Sequence, residues 1–371
     1  AEALGFYEIA GKAMVGRSNY VEGISHLRNA LKALKTVAAK AEGDNGFDSG
    51  EREINLLSVL GGALIATRGF AATEPGEVYA RAAELSRDLH DGAISGPVRY
   101  GMSVFHLVRG EVATAVGMAE DFVGAAERLG DETLILIATR TLGVNLTFAG
   151  DWERADRLLQ RALDLYDPAR HRELAVSYAQ DPRVSSLTLR SWCAFWTGRE
   201  EEAAALARRA VDEAVELKHL HSLAYARGLA GVMLHQFRGD VAECRRGAEA
   251  LLAATGRQPV PLWTGLAMAL HGWSVGANGD VDSGVGKLKA GRKEFAKTGS
   301  RLFLPYYDAL LADIHERAGD LVAARACYDA AETTMAERPE GWFAPELRRR
   351  SAQCRIDPDR RIDRAARRAA L

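Results

Sequence analysis

Apolar residues recur at three- and four-residue steps in stretches of roughly 15 to 19 residues, and polar turns separate the stretches. "DETLILIATRTLGVNLTFAG" (131–150) is one such stretch, and "DWERADRLLQRALDLY" (151–166) answers it on the other side of a glycine. The junction "TFAGDWERA" returns in altered form as "FWTGREEEA", "QFRGDVAEC", "GANGDVDSG" and "ERAGDLVAA". Each junction reads as a helix stop followed by a helix start. Gly110, Gly150, Gly198, Gly239, Gly279 and Gly319 punctuate the chain at intervals of 40, 48, 41, 40 and 40. Gly69 lies 41 before Gly110, and "RSNY" (17–20) supplies a divergent first turn, so eight two-helix units fit. Asp151, Asp240, Asp280 and Asp320 follow their glycines, where a carboxylate caps the next helix and complements its dipole.

A finer pattern sits inside the period. Five residues after the turn stand Gly23, Ala115, Ala155, Ala203, Cys244, Gly284 and Ala324; seven before it stand Gly11, Gly62, Gly143, Ser191, Gly272 and Ala312. Twelve after it come Ala30, Ala162, Ala210, Gly291 and Ala331, with Phe122 and Leu251 as exceptions. Paired helices approach closely only over short side chains, so these positions mark where each hairpin crosses. The pattern resembles the tetratricopeptide repeat with longer helices. It predicts an all-α fold: a right-handed superhelix, or α-solenoid, of about eight such hairpins and a C-terminal capping helix. One repeat domain is expected over 1–355, with a mobile loop at 41–51, an irregular insertion at 166–183 and an arginine-rich tail at 356–371. Pro168 and Pro182 should bound the insertion, with "RHRELAVSYA" a short extra helix and the superhelix kinked or offset there.

The insertion also carries a second resemblance. "LYDPARHRELAVSYAQDPRVSSLTLRSWCAFWTGR", with "PLWTGLAMALHGWSV" and "LFLPYYDALLADIHERAGD", is similar to the C-terminal repeat region of large bacterial signalling proteins. In that family an ATPase module of the signal-transduction type precedes the repeats, often behind a class III adenylate or guanylate cyclase domain, and some members carry a DNA-binding module. The most specific residues are Tyr166, Asp167, Pro168, His171, Arg172, Tyr178, Gln180, Asp181 and Pro182. The resemblance spans roughly residues 10–354 and implies a sensor or interaction role. Neither the cyclase nor the ATPase module lies in this chain, so their activities do not carry over. A start at Ala1 without methionine, already in helical sequence by Leu4, fits a piece of something longer.

Composition narrows the partners. The formal charge of −2 over 371 residues argues against a general nucleic-acid binder, which needs a basic surface. From Glu346 onward nine arginines face four acids, a local excess read as a solvated helical end rather than an anion-binding arm. No apolar run approaches the roughly 20 residues of a membrane span, and no signal peptide opens the chain. Four scattered cysteines suggest neither disulfides nor zinc, which fits a reducing cytoplasm.

No chemistry emerges, so no catalytic residue, cofactor or metal is expected. "GFYEIAGKA" (5–13) has one residue too many between its glycines for a phosphate loop, and Ala13 where Mg²⁺ needs a hydroxyl. "DVDSG" (280–284) lacks the later ligands of a calcium loop. His106, His235 and His315, each four residues before a turn glycine, fall on different units and read as packed imidazoles. His219 and His221 diverge on a helix and cannot share a metal.

The remaining resource is the concave wall. Counting 13, 10, 6, 3 and 2 residues back from each turn glycine selects Ile137, Arg140, Val144, Thr147 and Phe148 in unit four, and Ser185, Thr188, Trp192, Phe195 and Trp196 in unit five. Units six to eight add Leu229, Met233, Phe237, Trp273 and Tyr306, ending in Asp313, Glu316 and Arg317. Two readings stay open: the superhelix curls tightly and these rings are core, or they form an exposed groove for an apolar or helical segment, with the insertion at its rim. In the second, Phe148, Trp192, Phe195, Trp196, Leu229, Met233, Phe237, Trp273 and Tyr306 are the binding face. The expected function is a non-catalytic sensor or interaction region that binds a protein or peptide, a small ligand, or its own N-terminal domains, with no nucleic acid or membrane. The alternatives are a free-standing adaptor or chaperone-type binding protein and, further off, an enzyme for a small substrate.

Overall fold

The computed structural model describes residues 2–40, 49–68, 73–89, 95–256 and 260–355. Eight helical hairpins follow one another. They are α1 (Glu2–Gly16) with α2 (Tyr20–Lys40), α3 (Ser49–Arg68) with α4 (Thr73–Leu89), α5 (Gly96–Val108) with α6 (Val112–Leu129), and α7 (Glu132–Ala149) with α8 (Trp152–Leu165). The insertion holds two single turns, α9 (Pro168–His171) and α10 (Leu174–Ser177). Then come α11 (Pro182–Trp196) with α12 (Glu200–Leu217). In the sixth unit α13 (Leu220–Ala226), a π-helical segment (Arg227–Met233) and α14 (Leu234–Phe237) run on as one rod, which pairs with α15 (Val241–Thr255). Helices α16 (Pro261–Ala277) and α17 (Val281–Lys297), then α18 (Leu304–Arg317) and α19 (Leu321–Glu337), complete the repeat, and α20 (Ala344–Arg355) caps it. Among the described residues there is no strand.

Local sequence accounts for these boundaries. All six turn glycines named above have φ between +73° and +106°, a left-handed conformation that ends one helix. The capping carboxylates follow as expected: Asp151 accepts from Arg154 N at 3.3 Å and Asp320 from Ala323 N at 3.0 Å. His106 Nδ1 meets Glu111 across its own turn at 2.5 Å, and His235 and His315 lie 4.0 Å from Asp240 and Asp320, the residues at the matching place in their turns.

Short side chains do mark the crossings. Ala115, Ala155, Ala203, Cys244 and Ala324 are fully or almost fully buried, as are Ala30, Ala162, Ala210 and Ala331. The seventh hairpin is the tightest: a Cβ on Gly272 would stand 2.3 Å from Leu288 N, and one on Gly291 2.2 Å from Ala269 N. Gly62 departs from the expectation, since nothing lies within 4 Å of its would-be Cβ. Of the loop expected at 41–51, residues 49–51 are helical, because α3 begins at Ser49; residues 41–48, Gly69 and the tail 356–371 lie outside the described residues.

The sixth unit departs from regular α-helix: the first rod of the 41-residue interval between Gly198 and Gly239 carries the π-helical segment, a single-turn irregularity inside an otherwise α-helical rod. Trp192 Nε1 donates to Leu229 O within that segment at 2.9 Å.

The superhelix closes on itself. Ser18 Oγ accepts from Leu220 N, 202 residues on, at 3.2 Å. Val108 O accepts from Arg301 N at 2.9 Å and from Ser300 Oγ at 3.1 Å, and Arg109 O from Arg338 Nη1 at 2.7 Å. Trp342 N reaches Phe148 O at 3.2 Å. Separations near 200 residues mean that about five hairpins make one revolution, and the later turn lies directly on the earlier one.

Candidate ligand-binding cavity

Closure decides the fate of the concave wall. Phe148, Trp192, Leu229, Met233, Trp273 and Tyr306 are buried, while Phe195, Trp196 and Phe237 are half-buried. The ring at the centre is Trp342, a residue outside the wall set, with centroids 5.1 Å from Trp192, 5.4 Å from Tyr306 and 5.9 Å from Phe237. Trp273 stands apart and donates Nε1 to Asp313 at 2.7 Å. Of the two readings of these rings, the packed one describes the structure: the segment before α20 fills the place where a groove would open. Periodicity could not show this, because the filler comes from outside the repeat.

Glu340 anchors that filler. Its Oε2 accepts from Trp342 Nε1 at 2.9 Å and from Phe303 N at 3.3 Å, and complete burial raises its pKa from 4.5 to about 7. The folded chain keeps this proton to about pH 7, whereas the unfolded chain releases it near 4.5. Between those values the folded state binds the extra proton, so stability falls as pH rises, by roughly 3 kcal/mol in all. Glu340→Gln, which retains the accepting oxygen, should abolish this slope and melt above the parent at pH 8 but level with it at pH 4.5. A parent whose thermal midpoint does not fall between pH 5 and 8 relative to the variant contradicts the assignment.

The family-like residues of the insertion form a knot. Asp181 caps α11 through Arg183 N and Val184 N, each at 2.9 Å, and its Oδ2 accepts from the Tyr166 hydroxyl at 2.7 Å. Its own N–H donates to Ser222 Oγ at 2.9 Å. Asp167 caps the turn begun by Pro168, and its N–H donates to His171 Nδ1 at 3.0 Å. Arg172 reaches Glu216 O at 3.3 Å, and Pro182 opens α11. The expected extra helix is therefore two single turns. Tyr178 packs edge-on against Tyr100 at 5.3 Å. Ala179 then takes φ +57° in a three-residue turn closed by Gln180 N and Tyr178 O, a strained conformation that sets Ala179 and Gln180 in the wall of a cavity.

That cavity, of about 100 Å³, lies within the superhelix, walled by α3, α4, α5, α7, α13, α16 and α17 and by the loop at 300–303. Gly62 opens onto it, which is why that glycine crosses no partner helix. Phe148 and Leu229 of the expected binding face line it; most of the wall is aliphatic or aromatic. Arg140 lines it too and is 1% exposed, yet among the described residues no hydrogen bond or ion pair reaches its guanidinium, and Nε and Nη2 are buried and unpartnered. Its Cζ sits 4.8 Å over the Tyr100 ring, a contact that contributes about 2 kcal/mol when desolvated. An unpaired buried ion costs more than that, and arginine cannot escape by losing its proton. Four further orphaned polar atoms stand on the same wall: Asn145 Oδ1, His221 Nδ1, the Tyr225 hydroxyl and Trp263 Nε1. Burial pushes His221 down to about 3, with His219 adding to the effect, so its imidazole is neutral near pH 7, and burial raises the Tyr225 hydroxyl above its ordinary value. Arg140 was legible as a wall position; its isolation was not, since a missing partner is a property of surroundings. Among the described residues no group of three His, Cys, Asp or Glu converges on one point, and no helix is long and apolar enough to cross a membrane.

No protein-family model and no curated protein matches the sequence. Solved structures do. A Rap protein complexed with Competence and Sporulation Factor superposes with a TM-score of 0.60 at 12% identity, over 95% of this chain and 98% of that one. A signal-transduction ATPase with numerous domains from Pyrococcus horikoshii, described as having a tetratricopeptide repeat sensor, gives 0.53 at 11% identity, over 91% of this chain and 53% of that one. At such identities the likeness shows the fold, a tetratricopeptide-like helical superhelix.

Proposed function

We propose that this chain is a non-catalytic sensor, the repeat region of a larger bacterial signalling ATPase or nucleotide cyclase. In this reading a ligand enters the superhelix and its occupancy is passed to neighbouring domains of the same polypeptide or to a protein partner. One observation carries it: the cavity is walled both by early helices (α3, α5, α7) and by the later elements that fold back onto them (α16, α17 and the loop at 300–303). Whatever fills it touches both turns of the superhelix, and a ligand that prefers one spacing of the turns shifts the winding by its differential affinity. The similarity to a solved Rap protein complexed with Competence and Sporulation Factor and to a solved signal-transduction ATPase with a tetratricopeptide repeat sensor supports this reading.

The reading frame upstream of Ala1 tests it. An in-frame ATPase or class III cyclase module is the expected result. A start codon there, with neither module, favours the free-standing adaptor instead.

A further inference from the structure

We infer that the cavity takes a small monocarboxylic acid with an apolar body, its carboxylate held by the Arg140 guanidinium with help from Trp263 Nε1 and the Tyr225 hydroxyl. This rests on the sensor reading above and gives it a ligand class.

The argument starts from what the wall lacks. Arg140 offers only donors, and its contact with Tyr100 is to the face of the ring rather than a hydrogen bond. Asp181, the carboxylate whose charge acts on Arg140, makes no hydrogen bond to it: Oδ1 accepts from two backbone N–H groups of α11 and Oδ2 from the Tyr166 hydroxyl. The Trp263 indole is a donor only and the Tyr225 hydroxyl can donate as well, so with Arg140 they ask for an acceptor; Asn145 Oδ1, an unpartnered acceptor on the same wall, is a neutral oxygen and brings no charge. Tyr225 and Trp263 are neighbours, with ring centroids 5.6 Å apart, and both line the same cavity as Arg140. A neutral acceptor would fill the hydrogen bonds but add no charge to that of Asp181, which makes no hydrogen bond or ion pair to the guanidinium. A dianion such as phosphate would bring a second charge that nothing on this wall answers, so one cation selects a monoanion. The remainder of the wall, including Ile65, Val104 and Leu229, is apolar and asks the same of the ligand's body. A volume of about 100 Å³ is room for about seven to ten water-sized spheres, which bounds the ligand to the scale of phenylacetate or isovalerate.

The test is calorimetric titration and thermal melting of the intact chain with sodium phenylacetate, sodium isovalerate, phenylacetamide and inorganic phosphate. The carboxylates should bind and raise the melting temperature, with phenylacetamide at least about tenfold weaker and phosphate silent, because a hydrogen-bonded charge pair carries about that discrimination. Arg140→Met should lose the preference for carboxylate over amide, while its ligand-free form melts no lower than the parent, since methionine removes an unpaired buried charge at similar length. Tyr225→Phe and Trp263→Phe, which each delete one donor, should weaken phenylacetate several-fold and leave the fold intact. Equal binding of acid and amide overturns the inference but leaves a sensor with a neutral apolar ligand. Binding of phosphate alone, or of none of the four, overturns it too, and the sensor reading then stands or falls on its own gene test. If Arg140→Met unfolds, Arg140 is a structural residue, and the inference falls unless the parent still separates acid from amide and Tyr225→Phe narrows that gap.

Discussion

Gly291→Val should cost about 4 kcal/mol and break the seventh hairpin open. The first Cβ atom alone would lie 2.2 Å from Ala269 N and 2.7 Å from Gly265 O, backbone atoms of α16 that no rotamer change can move. The same helices touch at Gly284, whose Cβ would meet Gly276 Cα at 2.4 Å, and at Gly272, so α16 and α17 lie backbone to backbone along their length. Valine would have to push two rods apart that also carry Trp263, Leu288 and Phe295 in the core. Its better helix propensity returns under about 1 kcal/mol and does not change the sign. Gly286→Ala is the control on the same helix: nothing lies within 4 Å of its Cβ, so it should raise stability by about 0.5–1 kcal/mol. Urea midpoints of the two variants should move in opposite directions. A Gly291→Val midpoint at or above that of the parent would mean the close crossing is absent in solution.

Gly341→Ala should release the segment that closes the superhelix, again at about 4 kcal/mol. An alanine Cβ there would stand 1.7 Å from Ala149 O and 2.4 Å from its carbonyl carbon, on the turn between α7 and α8. Relief requires the segment to lift, and lifting it breaks the Trp342 N to Phe148 O bond and draws Trp342 out of its aromatic nest. Water would then reach Trp192, which is fully buried in the intact chain. The expected signature is a red shift of tryptophan emission together with faster amide exchange over 338–343, in a protein that keeps its helical content. Gly117→Ala, with open space around its Cβ, should change neither. Unshifted emission in Gly341→Ala would show that the later superhelical turn is not seated on the earlier one.

Much of the hairpin architecture is legible along the chain, because each unit is built from contacts among residues close in sequence. Glycine with positive φ, aspartate at the next helix start, and a short side chain five places on are consequences of backbone geometry at one junction, and they recur wherever the junction recurs. The π segment before Gly239 was not legible, since the interval of 41 residues also occurs before Gly110, where α5 is regular α-helix. Gly62 misled for an equally local reason, since a small residue at a crossing and a small residue beside a cavity look alike in a pattern of sizes.

The chain by itself determined a stack of eight helix pairs nested through short side chains, since helical periodicity and turn stereochemistry act over a few residues. Tertiary structure alone decided that the stack returns to itself, that Trp342 packs into the aromatic wall, and that Arg140 is sealed in with no hydrogen-bond partner among the described residues. Those outcomes depend on summing small rotations over about five units. The contacts that record the sum, from Val108 to Arg301 or Phe148 to Trp342, join residues that no local pattern connects.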